Sequence, residues 1–275
     1  RRLLLSDEQT KISDIITDEE HIISVGTLDD QEVVAEIARK YDLLSVPVVD
    51  NENRLVGIVT IDDIVDIIED EATEDFEKMA GIVPSEDTYL KTPVFTIFRS
   101  RIMWLMVLMV SAMVSGALIT HFEGAISTLP ILVSFIPMLM DTGGNSGSQA
   151  CVSIIRGISL NEIEFRDLGR VVWKEIRVSV LCGVCLAIAC FAKIIVVDML
   201  LLKSESVTYL VAFVVCATMA VTVCLAKIVG STLPLLAKKL GFDPAVMASP
   251  IITTIVDFLS LLVYFAFATA ILGIG

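Results

Sequence analysis

Two carboxylates sit where a membrane helix accommodates them least. Asp257 lies about 11 residues into an apolar stretch over 246–273, which at about 1.5 Å per residue puts it near a bilayer midplane. Asp141 is about as deep in a second stretch, 128–155. An ionised Asp at that depth costs roughly 2.5–3.5 kcal/mol even on the lenient insertion scale, and acids held there usually face a cavity. No spanning stretch is expected to offer an equally deep Arg or Lys. Two readings follow: a protonated or helix-capping acid, or a cation site. The neighbours favour the second. Around the first acid the chain reads Pro137-Met138-Leu139-Met140-Asp141-Thr142-Gly143-Gly144-Asn145-Ser146-Gly147-Ser148-Gln149. Backbone and polar groups in such a run must be buried or line water, although Gly144 or Gly147 alone could serve helix packing. Thr253 and Asp257 are four apart and share a helix face, and Pro250 is expected to free a carbonyl from its usual donor. Carboxylate, amide, hydroxyl and carbonyl oxygens form a hard-cation ligand set. One carboxylate per chain among carbonyls suits Mg²⁺, which keeps several waters, better than Ca²⁺, which asks for more direct carboxylates.

Five apolar stretches could position these groups: 101–122, 128–155, 175–197, 207–235 and 246–273. Each reaches the roughly 20 residues that a spanning helix needs. Arg99 and Arg101 precede the first stretch. Arg156, Arg166, Arg170, Lys174 and Arg177 lie around the 2–3 loop, and Lys238 and Lys239 before the fifth stretch. The other two loops carry only Lys203. The positive-inside rule then predicts a cytoplasmic N-terminus and an external C-terminus. Lys193 and Lys227 are expected to snorkel, and Glu175 to open the third span at a positive helix start. The six Cys lie in apolar stretches, and Cys182-Gly183-Val184-Cys185 has no second pair, so they read as packing residues. With two His there is no zinc cluster. The opening Arg1-Arg2-Leu3-Leu4-Leu5 does not resemble a signal peptide, and the start is expected to fall inside a longer protein.

The first 90 residues differ sharply. They carry 24 acidic and 7 basic side chains, a net of −17, against +3 for the remainder. This division predicts a soluble domain followed by a membrane domain. Strand-like His21–Thr27, a helical pattern over Asp29–Tyr41, and β-rich Ser45–Val49 and Leu55–Thr60 about an Asp50–Asn53 turn precede helical Ile61–Ile68. This order resembles a CBS motif, recognisable by Ser45-Val46-Pro47-Val48-Val49-Asp50 and Gly57-Ile58-Val59-Thr60-Ile61-Asp62-Asp63. In CBS modules the Thr60 and Asp63 positions can hold a nucleotide ribose, which implies possible ATP binding. A helix cap with acids at a positive helix start explains them equally well. Residues 61–87 are then predicted to form one long acidic helix. Its like charges repel, and bound divalent cations would relieve that.

Taken together the chain resembles the MgtE magnesium channels. The resemblance rests on Glu71-Ala72-Thr73-Glu74-Asp75, Thr142-Gly143-Gly144-Asn145 with Gly147 and Gln149, Ile154-Ile155-Arg156-Gly157, Gly241-Phe242-Asp243-Pro244-Ala245, and Pro250 with Asp257. It implies an all-α polytopic membrane domain of five transmembrane helices preceded by a partial α/β CBS domain and a connecting helix. The domains expected are 1–20, the tail of a preceding CBS motif; 21–70, a CBS motif; 71–97, an acidic plug helix and linker; and 98–275, the pore domain. Most of a first CBS motif and an N-terminal helical domain would lie outside these residues.

By position, the resemblance makes Asp257 the pore acid for hydrated Mg²⁺, with Thr253, Gly144, Asn145 and Ser148 around it. Ser148 stands where the family often has Asn, and Asp141 where others can have a small neutral residue. Asp42 and Asp243 match a pair bridged by cytosolic Mg²⁺, and Asp63, Asp66, Glu71, Glu74 and Asp75 match further sensor ligands. The resemblance further implies a homodimer in the bacterial inner membrane with the pore on its two-fold axis, surrounded by lipid, no nucleic-acid partner, and passive Mg²⁺ influx closed by internal Mg²⁺. An ion-coupled carrier or exporter is the alternative. A membrane-anchored CBS adaptor fits poorly, because an anchor needs no midplane Asp. No nucleophile–base pair or phosphate-cradling loop suggests an enzyme.

Overall fold

The computed structural model describes residues 7, 9–11, 22–85 and 88–274. The expected tail of a preceding CBS motif lies almost wholly outside them. Two compact units divide the chain between Glu74 and Asp75.

In the first unit, the predicted strand contributes only β1 (Val25–Gly26), which pairs in parallel with β2 (Ser45–Val49); β3 (Leu55–Thr60) pairs antiparallel to β2. Between them runs α1 (Gln31–Tyr41), capped by the Asp30 carboxylate accepting from the Glu32 N–H. Its apolar stripe buries Val34, Ala35 and Ala38 against Val25, Val46 and Ile64. Asp42 closes α1 in the left-handed region at φ 53°, its N–H donating to the Ala38 carbonyl; Asp and Asn tolerate that region better than most residues. The β2–β3 turn is held by the Asp50 carboxylate, which accepts from the N–H groups of Glu52 and Arg54, both at 2.9 Å. The Arg54 N–H holds that carboxyl below its usual range.

The acidic helix is α2 (Ile61–Met79), shorter than predicted. It stops because Gly81 turns left-handed at φ 69°, with the Gly81 N–H donating to the Lys78 carbonyl and the Ile82 N–H to the Glu77 carbonyl. That pair of bonds is a Schellman closure.

The second unit is helical: α3 (Val94–His121), a short α4 (Glu123–Thr128), a 3₁₀ turn over Pro130–Phe135, α5 (Ile136–Ser159), α6 (Leu168–Lys193), α7 (Tyr209–Leu240) and α8 (Ser249–Leu272). Helix α6 continues as a π-helix over Ile194–Leu201. Four segments, 94–121, 165–201, 209–240 and 244–272, are long and apolar enough to cross a membrane. Helix α5 has the length but carries the polar run from Asp141 to Gln149. It lies against α7 and α8. Near its start the core gathers Leu132, Phe135, Leu139, Val211, Tyr264 and Phe265, and the buried Tyr264 hydroxyl donates to the Leu132 carbonyl at 3.0 Å. The six cysteines form no disulfide.

Candidate functional site

Helix α5 has two unlike faces. Gly143, Gly144, Ser146, Gly147, Ala150 and Cys151 are buried, whereas Asp141, Asn145 and Gln149 are open and Ser148 is half-buried. The open residues follow at intervals of four and form one polar stripe. The buried face is made of small residues because α7 and α8 approach too closely for larger ones. A Cβ on Gly143 would stand 2.7 Å from Thr222 and 2.9 Å from Ser260 and Val256, and a Cβ on Gly230 would collide with the Gly147 carbonyl. On Gly144 it would stand 3.1 Å from Thr253. The glycines therefore seat the polar stripe beside the N-terminal half of α8.

Helix α8 begins at Ser249, so Pro250 lies in its first turn. There the missing N–H leaves nothing unpaired, and the expected freed carbonyl does not arise from it. Instead the Pro250 carbonyl accepts from the hydroxyls of Thr253 at 3.0 Å and Thr254 at 2.9 Å. Asp257 follows one turn after Thr253 and is half-buried. Asp141 and Asp257 lie within electrostatic range of each other. Among the described residues neither has an ion pair or a hydrogen bond. Thr253, Gly144, Asp141 and Asp257 are thus brought together, and Asn145 and Ser148 continue the same stripe along α5.

Two expectations about the remaining charges are corrected. Lys227 does not snorkel: it is near the middle of α7, only 5% exposed, and its Nζ is 4.0 Å from Glu175 Oε2. There is, then, a deep Lys. Glu175 lies two turns inside α6 rather than at its start. Lys193 reaches Asp198 Oδ2 at 2.8 Å, and Asp198 is a buried acid that hydropathy alone passed over. The i,i+5 spacing is the signal that was available, because a π-helix brings those two positions onto one side.

In the loop between α7 and α8, Asp243 caps the 3₁₀ turn over Pro244–Met247, accepting from the Ala245 N–H at 2.8 Å. Lys78 Nζ stands 2.7 Å from its Oδ2, so the last turn of α2 is fastened to the loop between α7 and α8. Asp75 belongs to the same unit; Asp42, Asp63, Asp66, Glu71 and Glu74 belong to the first. There, Glu71 accepts from Gln31 Nε2 at 2.9 Å, and the Thr60 hydroxyl donates to Asp63 at 2.9 Å. The latter bond joins two side chains at the start of α2. Among the described residues no three His, Cys, Asp or Glu side chains converge as a metal site.

The MgtE family model, described as a divalent cation transporter, matches residues 136–267, and a CBS domain model matches residues 11–70. The magnesium transporter MgtE of Bacillus subtilis is 36% identical over 270 residues, 98% of this chain and 57% of that protein. The MgtE of Thermus thermophilus is 34% identical over 272 residues, 99% of this chain and 58% of its own length. That of Enterococcus faecalis is 36% identical over 271 residues, covering 98% and 56%. The chain spans somewhat more than half the length of these curated relatives.

Proposed function

We propose, from the premise that this chain belongs to the MgtE family of divalent cation transporters, that it conducts Mg²⁺ passively and that cytosolic Mg²⁺ closes it. The observation that carries this reading is the polar stripe of α5 beside Asp257, two acids without a fixed cation among the described residues, where Glu175 and Asp198 of the same helical unit are each paired with a lysine. A mobile cation is what such a pair is built to attract. The open side of the stripe supports a homodimer in which two copies enclose one pore, with Asp257 from each holding a hydrated Mg²⁺ and Thr253, Gly144, Asn145 and Ser148 supplying oxygens to its waters. Mg²⁺ surrenders water reluctantly, so one carboxylate per subunit is sufficient.

In this reading the protein lies in the bacterial inner membrane with the acidic unit in the cytoplasm. Regulatory Mg²⁺ would neutralise Asp42, Asp63, Asp66, Glu71, Glu74, Asp75 and Asp243 and hold α2 against the pore. ATP binding at Thr60 and Asp63 would have to break the hydrogen bond that already joins them. Single-channel recording of the reconstituted chain, with Mg²⁺ varied on the α2 side, tests the proposal. A linear, potential-driven current that closes as that Mg²⁺ rises is expected. Saturable flux requiring a coupled proton or sodium gradient would replace the channel with a carrier.

A further inference from the structure

We propose that the cleft between the segment following α2 and the start of α3 binds the headgroup phosphate of an anionic membrane phospholipid, with Arg99 and Arg101 as its cations. The inference rests on the orientation given above, which puts this cleft at the cytoplasmic leaflet. Its volume is about 400 Å³, in the range of small-molecule sites. The segment is pinned across the helix by the Val83 N–H, which donates to the Ser100 carbonyl at 3.1 Å. Ser100 lies between the two arginines, and both of them line the cleft.

Among the described residues its wall carries two cations, Arg99 and Arg101, and one acid. Glu77 is the acid on the wall, and its carboxylate accepts from the Ser85 N–H at 3.0 Å. Arg99 and Arg101 have no ion pair and no aromatic partner among the described residues. Lys78 is engaged with Asp243, Arg166 with Glu164, Arg170 with Asp167, and Arg177 over Trp173. At the same end, α3 begins after Pro93 with no side-chain cap, so its first N–H groups add positive potential. Guanidinium forks suit phosphate oxygens.

A lipid fits better than free phosphate because the cleft opens along an apolar wall. Met103 lines it, and Phe95, Phe98 and Met106 on the same helix are exposed. Helix α3 is a candidate span and is exposed over most of its length. Chains attached to a phosphate held by Arg99 and Arg101 would lie along that wall, as basic pockets beside membrane helices bind anionic headgroups.

The test is native mass spectrometry of the full chain, purified in detergent, stripped of lipid and titrated with phosphatidylglycerol or phosphatidylcholine. Two arginines near a headgroup give roughly a 30-fold preference for phosphatidylglycerol. Arg99→Gln with Arg101→Gln should erase it, whereas Arg99→Lys with Arg101→Lys should keep most of it and Arg166→Gln with Arg170→Gln should leave it intact. Equal retention of both lipids by the parent chain, an unchanged preference in the Gln pair, or its loss in the Lys pair would overturn the proposal. Displacement by an equal concentration of inorganic phosphate would overturn the lipid assignment. Retention in detergent does not depend on which leaflet the cleft faces, so a failed orientation and a failed site give different results.

Discussion

The membrane unit holds acids within its long helices on two sides, and the sides treat them differently. Along α6 and α7, Glu175 faces Lys227 and Asp198 faces Lys193. Along α5 and α8, Asp141 and Asp257 face no cation among the described residues. Each acid on the first side has its field closed by a charge of the chain itself, so those pairs join neighbouring turns and helices. Each acid on the second side keeps its field available to whatever enters. Depth in the membrane alone does not separate the two kinds, since Lys227 and Glu175 are as sheltered as Asp257. The presence or absence of a fixed counter-charge does.

The harshest test of that contrast is Asp257→Ala. A carboxylate about 5 Å from a divalent ion contributes on the order of 6 kcal/mol at an effective dielectric of ~20. Mg²⁺ flux into proteoliposomes should therefore fall to background while the protein elutes as the same folded species. Asp257→Asn, which keeps a hydrogen-bonding oxygen without the charge, should lose most of its affinity for divalent ions. Wild-type flux in Asp257→Ala would remove the difference between the two sides.

Lys227→Met probes the other side. It would leave Glu175 with no counter-charge, which in buried pairs costs about 3–5 kcal/mol. The 4.0 Å separation places the effect near the lower end, about 3 kcal/mol. Thermal unfolding in detergent should shift down accordingly, and adding Glu175→Gln should recover most of the loss. A variant with unchanged stability and abolished transport would move this pair from framework to ion path.

The membrane division was legible in the sequence because apolar runs and loop charges are strong signals; the pairing of charges was not. Lys227 and Glu175 lie 52 positions apart and meet only through the packing of α6 on α7. Asp198 was passed over because the turn bringing it to Lys193 is π rather than α. The end of α2 at Met79 depended on the left-handed Gly81, which competed with an acidic pattern that ran on in helical register. Pro250 was placed correctly in sequence, but its meaning depended on whether α8 had already begun. By contrast, the polar stripe of α5 could be read directly, since Asp141, Asn145 and Gln149 keep helical spacing.

Asp141→Gly asks whether the second unpaired acid belongs to the ion path. At about 8 Å and an effective dielectric of ~20, its carboxylate adds roughly 4 kcal/mol to a divalent ion before desolvation and screening. Reduced to a quarter by those effects, about 1 kcal/mol would remain, a factor of about five in half-saturating Mg²⁺. Transport should persist with weaker occupancy or altered divalent selectivity. Superimposable titrations of parent and variant would make Asp141 structural and leave Asp257 alone on its side of the contrast.

Asp243 lies between the two kinds: an acid with a fixed cation, Lys78, at 2.7 Å, yet with both side chains partly open, at 25% and 34% exposure. If Asp243 binds regulatory Mg²⁺, Asp243→Ala should leave the channel open at higher cytoplasmic Mg²⁺, and so should Asp42→Ala. Unchanged inhibition in both would count against the bridge. Lys78→Gln distinguishes what the ammonium does. An ion arriving at Asp243 must displace it, and partly exposed pairs contribute about 0.2–1 kcal/mol. Its removal should therefore lower the half-inhibitory Mg²⁺ concentration by up to about fivefold. The opposite shift would show that Lys78 works by holding the last turn of α2 against the loop between α7 and α8, so that losing it frees the plug. The direction of the shift thus decides whether this fixed cation acts as a competitor for the mobile one or as its standing substitute.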